Sequence, residues 1–258
     1  MKKILKSFLK IFLSVFLSLA AILLVLFVSS CIAGFTQIKS NIEYQNNHLE
    51  YLKNEYYTDS YIPCDEQKLA DFDIDKALSE GVKINEIAVM GTHNSYQLLG
   101  TAPKRALMKV LQIISFGAVE NKAVFEMDTF TEQLEQGVRN LEIDIETVDD
   151  EGDISFIVTH SPIIDNVTSA YNFAKGLEEI AMWSDNNPGH LPVYLLIEPK
   201  GDVLSINNMK NFSAEYAMEF DKVLRQVLGD RLLTPGQAIG EYESLEEMRN
   251  ADSWPTLA

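Results

Sequence analysis

Cysteine is almost absent from this 258-residue chain: Cys31 and Cys64 are its only two, which excludes a disulfide framework. No short-period repeat and no low-complexity tract occurs, so repeat arrays and biased tails are excluded as well. Basic residues are scarce, 21 against 38 acidic, for a net charge of −17. Neutralising phosphates along a nucleic acid takes clustered Lys and Arg, so nucleic acid is not an expected partner. The acidic residues have a gap of their own, because none occurs in the first 35 positions. Four lysines do (Lys2, Lys3, Lys6 and Lys10), so the other seventeen basic residues face all 38 acids and leave the rest of the chain at −21. A body this acidic has no general attraction to anionic lipid, and whatever holds it at a membrane must lie elsewhere.

The N-terminus supplies that hold. Behind the lysines runs an uncharged stretch from Ile11 to Ile38, with IFLSVFLSLAAILLVLFV as its core. About 20 apolar residues span a bilayer, whereas the apolar part of a cleaved signal is about 7–15 residues long. Lysines at the leading end favour a cytoplasmic start and an outward-facing body, and they argue against a buried core helix. Val28-Ser29-Ser30-Cys31 also resembles a lipobox, whose cysteine is lipidated after cleavage. Anchor, lipoprotein and secretion signal stay open, and each places the rest of the chain outside the cytosol, at the cell membrane for the first two.

Three regions follow: residues 1–35 as anchor or signal, 36–80 as a polar stalk rich in Asn, Tyr, Glu and Asp, and 81–258 as the functional domain. Four strands are expected at Glu86–Met90, Leu141–Glu146, Ile154–Thr159 and Pro192–Glu198, each rich in Ile, Val or Leu. Helical patterns fall at Asp128–Gly137, Tyr171–Asp185 and Met209–Leu228, the last closed by Gly229. Strands separated by helices imply an α/β fold of parallel βα units. The connection Gln97–Val124 is long and partly basic (Lys104, Arg105, Lys109, Lys122), and loops of that length are usually functional.

Chemistry-bearing residues gather at the strand ends. Gly91-Thr92-His93-Asn94-Ser95-Tyr96 follows the first strand; Leu141-Glu142-Ile143-Asp144-Ile145-Glu146 leads toward Thr159-His160-Ser161; and Ile197-Glu198-Pro199-Lys200 ends the fourth. Side chains alternate along a strand, so Glu142 and Asp144 share a face, as do Glu198 and Lys200. Either pair alone is what a half-wet strand looks like. In parallel barrels, however, the carboxyl ends of the strands form one catalytic face. Setting His93, Glu142, Asp144, His160 and Glu198 there brings two imidazoles and three carboxylates to one mouth. With the Asn94 carbonyl, the carboxylates suit calcium, which takes six to eight oxygens, better than zinc, which wants more nitrogen or sulfur. The histidines are then free to move protons. His48, in the stalk, and His190, in the NNPGHLP turn, read as structural.

GTHNSY, FTEQLEQGVRNLEIDIE, a strand ending in His160, and WSDNNPGHLPVYLLIEPK, in that order, together resemble the calcium-dependent phosphatidylinositol-specific phospholipase C family of bacteria and fungi, within the PLC-like phosphodiesterase superfamily. The likeness runs from about Ile84 to the C-terminus. It implies a TIM barrel, calcium, a phospholipid substrate and cleavage of a phosphodiester by a neighbouring hydroxyl. On matching positions it implies that Asn94, Glu142, Asp144 and Glu198 hold calcium and that His93 assists the attacking hydroxyl or steadies the phosphoryl group. It further implies that His160 protonates the departing glycerol oxygen and that Lys200 contacts phosphate or head group. Glu142 is an alternative base. The chain is expected to act as a monomer. Such a barrel takes about 250 residues, whereas Ile84–Ala258 is 175, so the barrel is expected to be incomplete, about its first half. The competing readings are a phosphodiesterase for glycerophosphodiesters or sphingolipids, and an inactive membrane-tethered remnant.

Overall fold

A computed structural model describes residues 2–118, 125–162, 165–201 and 208–257 of the chain. One helix, α1 (Lys2–Tyr51), takes in the whole apolar stretch. No proline interrupts it and Gly34 is its only glycine, so the backbone ladder runs on unbroken. From Lys6 onward it is long and apolar enough, by length and composition, to cross a membrane. A π-helical turn, Leu52–Tyr56, ends it.

The far end of α1 is bolted to the body by polar side chains. Gln45 accepts the Asn172 N–H at 2.8 Å and donates back to the Asn172 carbonyl at 3.0 Å. Asn41 donates to the Asn166 carbonyl at 2.5 Å, and Asn166 donates to the Gly34 carbonyl at 2.8 Å. His48 Nε2 lies 3.1 Å from the buried Glu179 carboxylate. Two short helices, α2 (Glu66–Leu69) and α3 (Ile74–Glu80), complete the segment read as a stalk. Glu66 of α2 grips the buried Arg139 guanidinium with both oxygens.

The sheet is built around one long strand. β2 (Val138–Asp150) pairs with β1 (Met90–Thr92), β3 (Asp153–Val158), β4 (Tyr194–Pro199) and β5 (Met209–Lys210). β1 and β4 run parallel to its first half, on opposite edges, since both pair with Asn140 and Leu141. β3 and β5 run antiparallel to its second half, again on opposite edges. The expectation of parallel units therefore holds for β1, β2 and β4 and fails for β3. No helix separates β2 from β3. The two meet in a tight hairpin in which Glu151 and Gly152 both take left-handed φ, 54° and 96°, as a two-residue turn of the type that matches strand twist demands. The other four strands pair only with β2, so among the described residues the sheet is open.

Helices α5 (Phe130–Glu135), α6 (Phe173–Asn186) and α7 (Ala214–Leu228) cover the apolar face. Each begins where a side chain caps it: Thr129 in a capping box with Glu132, Asn172, and Ser213. Leu141, Ile143 and Ile145 of β2 pack with Phe156 and Val158 of β3 and with Leu177, Ile180 and Trp183 of α6. Each such side chain contributes roughly 1.5–3 kcal/mol on full burial. The third helix starts later than expected because Met209 and Lys210 belong to β5. Helices α8 (Pro235–Ile239) and α9 (Leu245–Asn250) close the described chain. The described part of the long connection after β1, up to Ala118, holds α4 (Ala102–Ile114), with Pro103 in its first turn, while Lys122 lies outside the described residues.

Candidate active site

Burying Leu141, Ile143 and Ile145 on one face of β2 turns Glu142 and Asp144 to the other, and both are themselves buried. The chain entering from β1 is sewn to that face. Gly91 passes so close to Asn140 that an added Cβ would sit 3.1 Å from the Asn140 Cβ, a contact few side chains make. Ser95 N–H donates to the Glu142 carbonyl at 3.0 Å while its Oγ accepts the Glu142 N–H at 2.9 Å. Gln133 of α5 donates to the Ser95 carbonyl at 2.6 Å and accepts from Thr92 Oγ1 at 2.7 Å. Held this way, Asn94 takes a left-handed φ of 50°, which Asn tolerates better than most residues, and its N–H donates to Glu142 Oε2 at 2.5 Å.

Three carboxylates converge. Oxygens of Glu142, Asp144 and Glu198 lie within 4.8 Å of one another. The register explains it: Asp144 stands opposite Glu198 on parallel β4, with Glu142 two residues back on the same face. Tyr96 O–H donates to Asp144 Oδ2 at 2.8 Å and lies 3.2 Å from Asn94 Oδ1, tying the asparagine to the cluster. Asp144 Oδ1 has no aligned hydrogen bond, although Lys200 Nζ stands 3.1 Å away. The same ammonium is 2.5 Å from Glu198 Oε1. Burial raises the Glu142 carboxyl above its ordinary range, and Asp144 beside it adds to the rise. Glu198 is exposed and shifts the other way, chiefly through Lys200 and further through His160 and His93. Burial and the Asp144 charge raise the Tyr96 hydroxyl far above its ordinary value.

Buried carboxylates in such proximity need positive charge, since desolvation of each costs several kcal/mol. Lys200 pairs with two of the three, Asp144 and Glu198. The donor set, three carboxylates with the Asn94 amide beside them, is all hard oxygen, and the unbonded Asp144 Oδ1 is left for a ligand. The residues present fit a calcium ion.

The two expected histidines are both exposed, and each adjoins a residue bonded to the cluster: Asn94, whose N–H donates to Glu142, follows His93, and Thr159, whose N–H donates to the Asp144 carbonyl at 3.3 Å, precedes His160. His93 follows β1 directly. His160 follows β3, and the hairpin explains how it returns: Ile145 pairs with Val158, so the end of β3 folds back level with Asp144. Asp165 stands behind it, with Oδ2 3.4 Å from His160 Nδ1, while Oδ1 is held by Gln97 at 3.0 Å and by the buried Lys104 ammonium. His190 sits instead against Trp183, bonded to Ser184 Oγ and the Leu191 carbonyl. Tyr96, Gln133, Lys104 and Asp165 carry no periodic signal that marks them in the sequence. Lys200, expected against substrate, lies on the carboxylates.

A family model described as phosphoinositide phospholipase C, Ca2+-dependent, matches residues 82–156 and 153–258. Similar solved structures are those of a calcium-dependent phosphoinositol-specific phospholipase C from a Gram-negative bacterium, Pseudomonas sp.. The myoinositol complex is 20% identical with a TM-score of 0.46, matching 72% of this chain and 56% of that one. An apo form is 20% identical with a TM-score of 0.44, matching 68% and 53%. The chain thus spans about half the length of the solved structures it resembles. No match emerges among curated proteins. The family match covers well over half of the chain, which belongs to the calcium-dependent phosphoinositide phospholipase C family.

Proposed function

We propose that the chain carries the metal and histidine half of a calcium-dependent phospholipase C, which cleaves phosphatidylinositol-type lipids to a cyclic inositol phosphate and diacylglycerol. The observation that carries this reading is the convergence of Glu142, Asp144 and Glu198 within 4.8 Å, at the strand ends that His93 and His160 follow. The open edge of β4, where Leu196 is 58% exposed on the face that bears Glu198, supports reading the sheet as part of a larger barrel. The apolar α1 supports a body held outside the cell membrane.

Asn94, Glu142, Asp144 and Glu198 would hold the ion. When bound, calcium supplies positive charge against the phosphate oxygens as negative charge grows on them. Lys200, relieved of its two carboxylates, offers its ammonium to a phosphate oxygen. His93, exposed beside the cluster, takes the proton of the inositol 2-hydroxyl as that oxygen attacks phosphorus, or steadies the phosphoryl group during attack. His160 delivers a proton to the glycerol oxygen as its bond to phosphorus breaks. Asp165, at 3.4 Å from Nδ1, leaves Nε2 of that ring to face the leaving group. Tyr96 keeps Asp144 in place through its O–H.

The test is release of cyclic inositol phosphate from phosphatidylinositol vesicles by the full chain, with calcium and with chelator. Replacing His160 with Ala is expected to lower the rate by about 10²–10⁴-fold. Unchanged hydrolysis by that variant sinks the general-acid role. Choline released from lysolipids, with no inositol product, would assign the site to another phosphodiesterase.

A further inference from the structure

The chain between Gln97 and Ala118 contains no acidic residue and three cations, Lys104, Arg105 and Lys109, in a body whose charge is otherwise strongly negative. Most of it is α4, and α4 packs along α1. The direction follows from the contacts at its start. Lys104 pairs with Asp165, whose neighbour Asn166 bonds the Gly34 carbonyl, so α4 begins level with Gly34. From there it must run back along α1, antiparallel, because a stripe of α1 at Leu19, Leu23, Leu26, Ser30 and Ala33 is shielded while the residues beside Leu19, Leu23 and Leu26 are exposed. Thirteen residues at 1.5 Å each reach about 20 Å, which brings the end of α4 level with the apolar middle of α1.

The tip at that level is apolar and open. Ile113 is 65% exposed and Phe116 100% exposed. Phe116 is also strained, with a left-handed φ of 52°. It occupies the position just past the helix where glycine is the usual residue: Gly117 N–H closes onto the Gln112 carbonyl at 2.8 Å and Phe116 N–H onto Ile113 at 3.2 Å. A large aromatic held in that conformation and fully exposed gains nothing from the fold.

We propose that α4 is a second membrane element, whose tip (Ile113, Ile114 and Phe116) enters the lipid beside α1 while Lys109 faces anionic head groups. Continuity with the apolar surface of α1 and the acid-free, basic character of α4 select lipid as the occupant. Lys104 and Arg105 are engaged by Asp165 and the Gly100 carbonyl, which leaves Lys109 outward. The proposal rests on α1 lying in a bilayer and is independent of the reaction proposed above.

Its test is depth-dependent fluorescence of the full chain in vesicles of phosphatidylcholine and phosphatidylglycerol, plain or brominated on the acyl chains. Phe116→Trp and Ile113→Trp report α4, Phe12→Trp reports α1, and Met218→Trp on the exposed side of α7 reports solvent. After subtraction of the parent signal from Trp183 and Trp254, the probes at 12, 113 and 116 are expected to lose most of their emission to the brominated lipid. The probe at 218 should respond only to aqueous iodide. Probes at 113 and 116 that follow 218 while 12 is quenched overturn the role of α4 and leave α1 in the bilayer. Silence of 12 as well overturns both, and protection of 116 from both quenchers assigns the tip to a protein contact, which also overturns the proposal.

Discussion

The two ends of the parallel half of β2 treat buried charge in opposite ways. At Arg139 every nitrogen has a partner: Glu66 accepts from Nε and Nη2, the Leu134 and Val138 carbonyls accept from Nη1, and Trp183 offers its face at 4.7 Å. Five residues on, Asp144 is just as buried, yet one of its oxygens has no aligned donor, and it shares the Lys200 ammonium with Glu198 while Glu142 stands close by. A satisfied buried charge is architecture. One left short of countercharge on an open face is a place for a ligand.

Arg139→Ala should give the largest effect, a loss of about 3–5 kcal/mol, because it empties a buried site packed on Trp183 and leaves the half-buried Glu66 unpaired. Thermal unfolding reads it. Asp144→Asn, at the other end, should leave the calcium-free midpoint unchanged or raise it, since it removes one of three repelling charges. Equal destabilisation by both variants would break the comparison.

Tyr96→Phe sharpens the comparison with a smaller effect. It removes the aligned donor to Asp144, and hydrogen bonds to charged groups contribute about 1.5–3 kcal/mol. Loss of stability in calcium-free buffer that calcium largely restores is the expected pattern, read by paired melts. Restoration should fail if calcium binds elsewhere.

The smallest effect belongs to His48, where α1 meets α6. Burial opposes charge on its ring, but the Glu179 carboxylate at 3.1 Å and the more distant Glu132 outweigh it and raise the ring above its ordinary value of 6.5. The contribution is therefore fully present below pH 6.5 and fades as pH rises through the elevated value. His48→Gln should remove about 1 kcal/mol below that window and little above it, seen as a flattened pH dependence of the melting point. A loss that is the same at every pH would make the contact purely steric.

Much of the site could be read from sequence because strand alternation is local. Leu141, Ile143 and Ile145 facing one way fixed where Glu142 and Asp144 must point, and Glu198 followed from the same rule on β4. What joined those strands was less legible. The signal for the β2–β3 hairpin was present in Asp150-Glu151-Gly152-Asp153, and the gap before Ile154 is too short for a crossover helix, which takes a dozen residues or more. Reading it as parallel still set the end of β3 level with Asp144, because a hairpin folding back reaches the same level. The clamps of Asn41, Gln45 and His48 were beyond reach, since their partners lie more than a hundred residues away. Tyr96 and Asp165 were hidden for the same reason: their roles exist only once separate loops meet.

Calorimetric titration of the full chain with calcium in chelator-treated buffer bears most directly on the central claim. One saturable site is expected in the parent chain, and its loss is expected in both Asp144→Asn and Glu142→Gln, with magnesium a poor substitute. Undiminished binding by the two variants, or no binding by a folded parent chain, would contradict the claim that these carboxylates form a calcium centre.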